Sequence, residues 1–265
     1  MILEERAYIK MKFSKRMDLF GESIFTTLAN MRSERKKQGL EVIDLSIGAP
    51  NIPPTQEVME TIAKEAMKPE NYLYAIKDAV DLQNTVKEWY ERRYGVTIDP
   101  ETEMTSLLGS QDGLAHLALT LVDEGDIVLV QDPCYPIFRD GPLLAGAKVV
   151  TMPLLKENDY LIDFDMIDEK TAQDAKYMIV SYPNNPTCGV ANDEFYKKLI
   201  VFAKKYNIMV LHDNAYSELL FEGPGHSFLE FEGAKDVGIE FNSLSKTYGL
   251  AGARIGFALG NKEII

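Results

Sequence analysis

The sequence predicts an α/β fold, a three-layer sandwich in which helices cover both faces of a mostly parallel, seven-stranded sheet. Three observations carry that expectation. Short, nearly continuous apolar runs recur along the chain. Amphipathic stretches separate them. Gly, Pro and Asn cluster where the two kinds of segment meet.

Taken in order, residues 31–38 read as a basic helix leading to Val42-Ile43-Asp44-Leu45 and then Gly48-Ala49-Pro50. The prolines between Pro50 and Pro54 mark a turn or hinge, so residues 1–54 are expected to form an N-terminal arm and residues 55–265 a large domain. Thr55 to Met67 is predicted helical, with Val58, Ile62 and Ala66 on one face. Leu82 to Tyr94 is a second helix, closed by Gly95. A short strand is expected at Met104–Leu108, a helix at Gln111–Val122, and an amphipathic helix at Asp193–Tyr206. Strands are expected at Asp126–Gln131 (DIVLVQ), Lys148–Met152, Lys176–Tyr182 (KYMIVSY), Ile208–His212 (IMVLH), Val237–Ser243 and Arg254–Leu259. In such a sheet, functional groups sit at strand ends and in the loops that follow. The chain stops just past the last strand, at Ile264-Ile265, which suggests part of a longer protein.

Bulk properties exclude several classes. The chain has 265 residues, 46% of them apolar, and a formal net charge of −13 from 28 basic and 41 acidic residues. Such an acidic surface argues against general nucleic-acid binding and against anionic membranes. Cys134 and Cys188 make no disulfide framework, and a reducing compartment is expected. The N-terminus has early acids and no long apolar run, so no secretory signal or membrane span is expected, and the cytosol is the expected location. No metal site is expected.

Five motifs carry chemistry. Ser243-Leu244-Ser245-Lys246, followed by Gly249, Gly252, Arg254 and Gly256, brings two hydroxyls, an amine and a guanidinium to one strand and turn. Hydroxyls and a guanidinium suit a phosphate, and a partly desolvated lysine suits imine chemistry. His212-Asp213-Asn214-Ala215-Tyr216 sets an acid at a strand end and a phenol three residues on. Ser181-Tyr182-Pro183-Asn184-Asn185-Pro186-Thr187 fixes a tight loop that presents an amide. In Asp132-Pro133-Cys134-Tyr135-Pro136, prolines fix the backbone around an aromatic ring that can stack on a flat group. Gly109-Ser110-Gln111-Asp112-Gly113 opens a helix, where free N–H groups can bind phosphate or simply be capped. Each has a plain structural reading when taken alone: a Gly-rich surface loop, a turn-capping Asp, an ordinary turn or N-cap.

In this order the five motifs resemble the fold-type I pyridoxal-phosphate-dependent aminotransferases of class I/II, over about Leu45 to Gly260. The resemblance implies the large domain of the pyridoxal-phosphate-dependent transferases, with a C-terminal small domain missing from this chain. It implies that Lys246 binds pyridoxal 5'-phosphate as a Schiff base and shuttles the substrate's α-proton, while Asp213 pairs with the pyridinium nitrogen. Tyr216 and Asn185 would partner the ring's phenolic oxygen, and Tyr135 would stack on its face. Backbone amides of Ser110 and Gln111, with Ser243 and Arg254, would hold the phosphate. Tyr74 resembles the tyrosine that crosses a homodimer interface to the neighbour's phosphate. Gly48, with Asn185, would meet the substrate, the N-terminal segment closing over its carboxylate. The implied substrates are an amino acid and a 2-oxo acid.

Departures from the family pattern are specific. Cys188 stands between Thr187 and Gly189, where the family usually has Gly directly after Thr. Cys134 takes a position often held by Gly, and Asp78 follows Tyr74 where a glycine is common. Both thiols are read first as small packing residues. The family's arginine for the substrate carboxylate belongs to the small domain, beyond this chain. Other readings are a carbon–sulfur β-lyase on the same scaffold, a truncated cofactor-binding protein without turnover, and the sensing half of a regulator. Net charge opposes the last.

Overall fold

The computed structural model describes residues 11–46 and 48–265. The chain divides into two units, Met1–Gly48 and Ala49–Ile265. In the first, a short helical turn at Lys15–Leu19 precedes α1 (Ile24–Lys37), which starts well before its basic stretch. Arg35, Lys36 and Lys37 occupy its last turn, where cations suit the helix dipole. Asp44 pairs with Arg32 and accepts the N–H and hydroxyl of Ser46 at 3.0 and 2.6 Å.

The second unit opens with α2 (Gln56–Ala66) and α3 (Val80–Tyr94), and then β1 (Met104–Leu107). The helix expected at Gln111–Val122 is broken at Leu117 into α4 (Ser110–His116) and α5 (Ala118–Leu121). After β2 (Ile127–Asp132) comes α6 (Pro136–Ala145), a helix absent from the sequence reading because Gly141 and Pro142 interrupt its pattern. Gly141 packs close: a Cβ there would lie 3.1 Å from the Leu114 carbonyl oxygen. Next are β3 (Lys148–Pro153), α7 (Glu169–Asp174), β4 (Ala175–Ser181) and α8 (Asp193–Tyr206). The Asn192 side chain caps α8 by accepting the Phe195 N–H at 2.9 Å. β5 (Met209–Asp213), α9 (Ala234–Val237), β6 (Gly238–Ser243), α10 (Leu244–Thr247) and β7 (Gly256–Gly260) complete the unit.

The seven strands form one sheet in the order β1-β7-β6-β5-β4-β2-β3. Pairs among β2 to β6 are parallel, whereas β7 runs antiparallel to both β6 and β1. The expected strand over Arg254–Leu259 therefore needs correction at its start. Arg254 has φ 55°, a left-handed conformation no strand residue adopts, and the strand begins at Gly256.

Alternation along the strands separates two cores. Leu129, Met178, Val180 and Val210 pack with Tyr90 of α3 and Phe195 and Leu199 of α8. Val128, Val130, Ile179, Leu211 and Phe241 pack with Leu114 of α4 and Phe138 of α6. Residues such as Leu129 and Leu211 are fully buried, each side chain contributing about 1.5–3 kcal/mol of transfer free energy. One polar cluster lies inside the first core. Glu240, fully buried, accepts from Tyr90 Oη at 2.8 Å, Ser227 Oγ at 2.9 Å and the Phe228 N–H at 2.7 Å, and it contacts His212 Nδ1 at 3.0 Å. Among the described residues no helix is long and apolar enough to cross a membrane.

Candidate active site

The C-terminal ends of β2, β4, β5 and β6 deliver Tyr135, Asn185, Asp213 and Lys246 within or shortly after each strand. Because β7 is antiparallel, its beginning lies at this same edge, with Ser243 paired to Gly256. That reversal brings Arg254 to the group. It also places Gly256 against the start of α4: a Cβ there would lie 2.7 Å from the Ser110 nitrogen and 2.9 Å from the Gly109 carbonyl carbon. Gly109 itself has φ 85°, and a side chain on it would collide with the Arg254 guanidinium.

Asp213 ends β5 and is buried, and its Oδ1 has no hydrogen-bond partner. Burial pushes its carboxyl up to about 7; the charge of Glu240 adds to the rise and Lys246 opposes it. Lys246 lies in α10, the single turn after β6, and is half-buried. Its Nζ is 5.8 Å from the centre of the Tyr216 ring. Burial lowers the affinity of this amine for its proton; Asp213 opposes that effect and Arg254 reinforces it. Asn185 Nδ2 donates to Tyr216 Oη at 3.5 Å, and burial pushes the Tyr216 phenol up to about 12. Tyr135 precedes α6, and its Oη donates to Gln111 Oε1 at 2.9 Å, tying the starts of α6 and α4 together.

Two expected phosphate groups carry duties of their own. The Ser243 hydroxyl caps α10 by accepting the Ser245 N–H at 3.1 Å, and it lies 2.8 Å from Ser245 Oγ and 3.2 Å from the Ile255 carbonyl. Arg254 Nη1 and Nη2 donate to the carbonyls of Ala251 and Leu108, each at 3.1 Å, leaving further donors of its fork for an anion. Tyr74 is 92% exposed and is not among the gathered residues. Gly48 is the last residue of the first unit.

Some supports were not singled out beforehand. Gln131 Oε1, at the end of the apolar run DIVLVQ, accepts the Ser181 N–H at 2.9 Å and Asn184 Nδ2 at 3.2 Å. Asn184 Oδ1 in turn accepts from Thr187 N and Oγ1 at 3.1 and 2.8 Å, so the loop bearing Asn185 is braced from beneath. A buried amide closing an apolar strand was the available signal. Asp78, noted only as a departure, bonds the Ser106 N–H at 2.7 Å and its hydroxyl, fastening the segment after Tyr74 to β1. Cys188 has φ 62°, so it fills a left-handed position in the exposed rim of the loop and is not a packing residue. Cys134 is half-buried against the second core, and burial pushes its thiol up to about 11.

These residues fit pyridoxal 5'-phosphate. The partnerless Asp213 Oδ1 is an acceptor for a protonated ring nitrogen, Lys246 is an amine with weakened proton affinity, and Arg254 with the Ser110 N–H offers donors for a phosphate. Among the described residues no cluster of His, Cys, Asp or Glu could hold a metal ion.

Sheet order and site together define a cofactor-binding large domain of the fold-type I kind. The chain belongs to the family of class I and II aminotransferases, whose model matches residues 41–265. It is 44% identical over 257 residues to the LL-diaminopimelate aminotransferase of Aquifex aeolicus, and 43% identical over 257 residues to that of Dehalococcoides mccartyi. Each match covers 96% of this chain and 66% of the relative, so the chain spans just under two thirds of their length. Substrate-bound BacF from Bacillus subtilis superimposes with a TM-score of 0.89 at 37% identity, covering 96% of this chain and 65% of that one. A probable N-succinyldiaminopimelate aminotransferase from Thermus thermophilus gives 0.87 at 36% identity, covering 91% and 66%.

Proposed function

We propose that the protein is a pyridoxal-phosphate-dependent aminotransferase that moves an amino group between an amino acid and a 2-oxo acid. The observation that carries this reading is a buried carboxylate with one unpartnered oxygen, Oδ1 of Asp213, beside a half-buried lysine of weakened proton affinity, at one edge of one sheet. When bound, the cofactor supplies an aldehyde for imine formation and a ring that disperses charge from the substrate's α-carbon. Asp213 holds a proton at the ring nitrogen and so sustains that capacity. Lys246 Nζ would be the amine that holds the cofactor's aldehyde and, once free, the base that carries the α-proton; proximity and general acid–base transfer both favour it. Asn185 and Tyr216 orient the phenolic oxygen, and Tyr135 backs the ring. Arg254, Ser243 and the N–H groups of Ser110 and Gln111 would grip the phosphate.

The finer parts of this reading rest on family likeness. The enzyme works as a homodimer in which the partner subunit's Tyr74 completes the phosphate site, as its 92% exposure in one subunit allows. Gly48 and Asn185 meet the substrate, within an arm of residues 1–54 serving a domain of residues 55–265. Two free cysteines suit a cytosolic setting. The names of the relatives make LL-diaminopimelate the first amino donor to assay. The direct test is borohydride reduction of the yellow, cofactor-loaded protein followed by peptide mapping. The adduct is expected on Lys246; an adduct on any other lysine defeats the proposal.

A further inference from the structure

We infer that Glu218, Tyr94 and Arg93 form a positioning clamp for Tyr216: the end of α3 holds the turn that carries this phenol and so sets where its hydroxyl meets the cofactor's phenolic oxygen. The turn begins shortly after β5 ends. The Tyr216 carbonyl accepts the Leu219 N–H at 2.9 Å, which makes Tyr216 the first residue of a four-residue turn and Ser217 and Glu218 its central pair. Both central side chains are taken up by the last two residues of α3. Tyr94 Oη lies 2.9 Å from Ser217 Oγ and 3.1 Å from Glu218 Oε1. Arg93 Nε donates to the same Glu218 oxygen at 2.9 Å, and its guanidinium carbon sits 4.7 Å from the centre of the Tyr94 ring. The returning chain braces the turn from another side. A Cβ on Gly225 would collide with the Ser217 carbonyl oxygen, and Asn214 Nδ2 donates to the His226 carbonyl at 3.0 Å.

Closing this turn needs none of these side chains, because its own backbone bond already does so. As a source of stability the clamp is modest: the Arg93 and Glu218 side chains are each 25% exposed, and ion pairs so placed contribute little. What the contacts do fix is direction. A turn held at both central residues has one orientation, and the residue that opens it is aimed by the backbone. Tyr216 needs that aim. Among the described residues its hydroxyl meets Asn185 Nδ2 at 3.5 Å, a long contact that steers it weakly, so the base of the side chain must set its place. The titratable groups facing Tyr216 are Lys246 of α10, with Nζ 5.8 Å from its ring centre, Asp213 of β5, Tyr135 before α6 and Cys188 of the Asn185 loop. Those facing Glu218 are Arg93 and Tyr94 of α3 and Tyr248 after α10. The two sets share no member, and the route from one to the other is the backbone of the turn.

The inference rests on the reading that Tyr216 meets the phenolic oxygen, and the test separates the two. The probe is the protein loaded with pyridoxal phosphate, and the measurement is the pH midpoint of its visible absorption band. Once the linkage between Lys246 and the cofactor loses its proton, the phenolic oxygen carries its negative charge alone, and a donated hydroxyl then counts for most. Weakening that bond should therefore raise the midpoint. Tyr216→Phe should raise it by about one pH unit, tenfold in the proton equilibrium. Glu218→Ala and Tyr94→Phe should each raise it by roughly half a pH unit, about threefold. Glu218→Gln keeps an acceptor for Tyr94 and Arg93 without the charge, and should return the midpoint to that of the wild type. Added to Tyr216→Phe, Glu218→Ala should do nothing more, because no hydroxyl is left to aim. A clamp that only held the fold together would lower the urea midpoint and leave the band in place. An unmoved band in Tyr216→Phe alone sinks the role of Tyr216 at the phenolic oxygen, and the inference with it. A band moved by Tyr216→Phe but by neither Glu218→Ala nor Tyr94→Phe overturns the inference alone. So does an equal Glu218→Ala shift in the Tyr216→Phe background, or a shift as large in Glu218→Gln as in Glu218→Ala, which would make the effect one of charge. Should Glu218→Ala fail to fold, Tyr94→Phe, which removes a single hydroxyl, decides.

Discussion

Asp213 should make the cofactor-free protein less stable as pH rises, and Asp213→Asn should remove that dependence. The carboxyl titrates at about 7 in the folded protein against an ordinary value of 3.8. Below 3.8 both folded and unfolded chains carry it neutral, and burial costs nothing in charge. As pH climbs, the unfolded chain ionises first while the folded site still holds its proton, so stability falls until about pH 7 and then levels off. At about 1.36 kcal/mol per pH unit, that span amounts to about 4 kcal/mol. Asparagine has nearly the same shape but no titration, so the wild-type decline between pH 4 and pH 8 should exceed that of the variant by about 4 kcal/mol. The absolute offset is smaller, because a buried amide left without partners costs about 1–3 kcal/mol at every pH. Urea unfolding at several pH values, on protein freed of cofactor, measures this directly. Parallel curves for the two proteins would refute the reasoning, since they would mean that Asp213 is not desolvated. Saturating the wild type with pyridoxal phosphate should flatten its curve, because a cation then neutralises the buried charge.

Three further outcomes are expected. Cys188→Gly relieves a left-handed non-glycine residue at φ 62° and should raise stability by about 1 kcal/mol in urea unfolding. Gly256→Ala would push a methyl to 2.7 Å from the Ser110 nitrogen and 3.0 Å from the Asn242 carbonyl oxygen; it should cost about 1–3 kcal/mol and weaken cofactor binding at least tenfold (about 1.4 kcal/mol), read by fluorescence titration. Tyr135→Phe removes the 2.9 Å bond to Gln111 but keeps the ring, so it should cost about 1 kcal/mol of stability and leave borohydride labelling at Lys246 intact.

Much of this architecture was legible in the sequence because buried parallel strands announce themselves. Runs such as DIVLVQ and IMVLH are apolar on both faces, and the observed β2 and β5 begin within one residue of them. The α8 range matched the sequence reading because Asn192 caps its start and its apolar period is unbroken. What escaped had a physical reason. α6 carries Gly141 and Pro142 within it, which local pattern treats as breakers, whereas close packing on α4 requires the glycine. The antiparallel sense of β7 cannot be read from composition, because direction depends on partners distant in sequence. The site motifs stood out as clusters of special residues. Their supports did not: Gln131, Asn184 and Asp78 act through contacts that only the folded chain creates.

The sheet order sets a timetable for synthesis. Among the described residues β1 has only β7 as a strand neighbour, and Met104 pairs with Leu259, so the first strand of this sheet waits for the seventh. Until β7 emerges, Met104–Leu107 has no ladder to join, and the Gly109 turn lacks both Arg254 and the strand that abuts it. The corner where Gly109, Ser110 and Arg254 meet is therefore assembled only when β7 closes the sheet, long after β1 itself has been made.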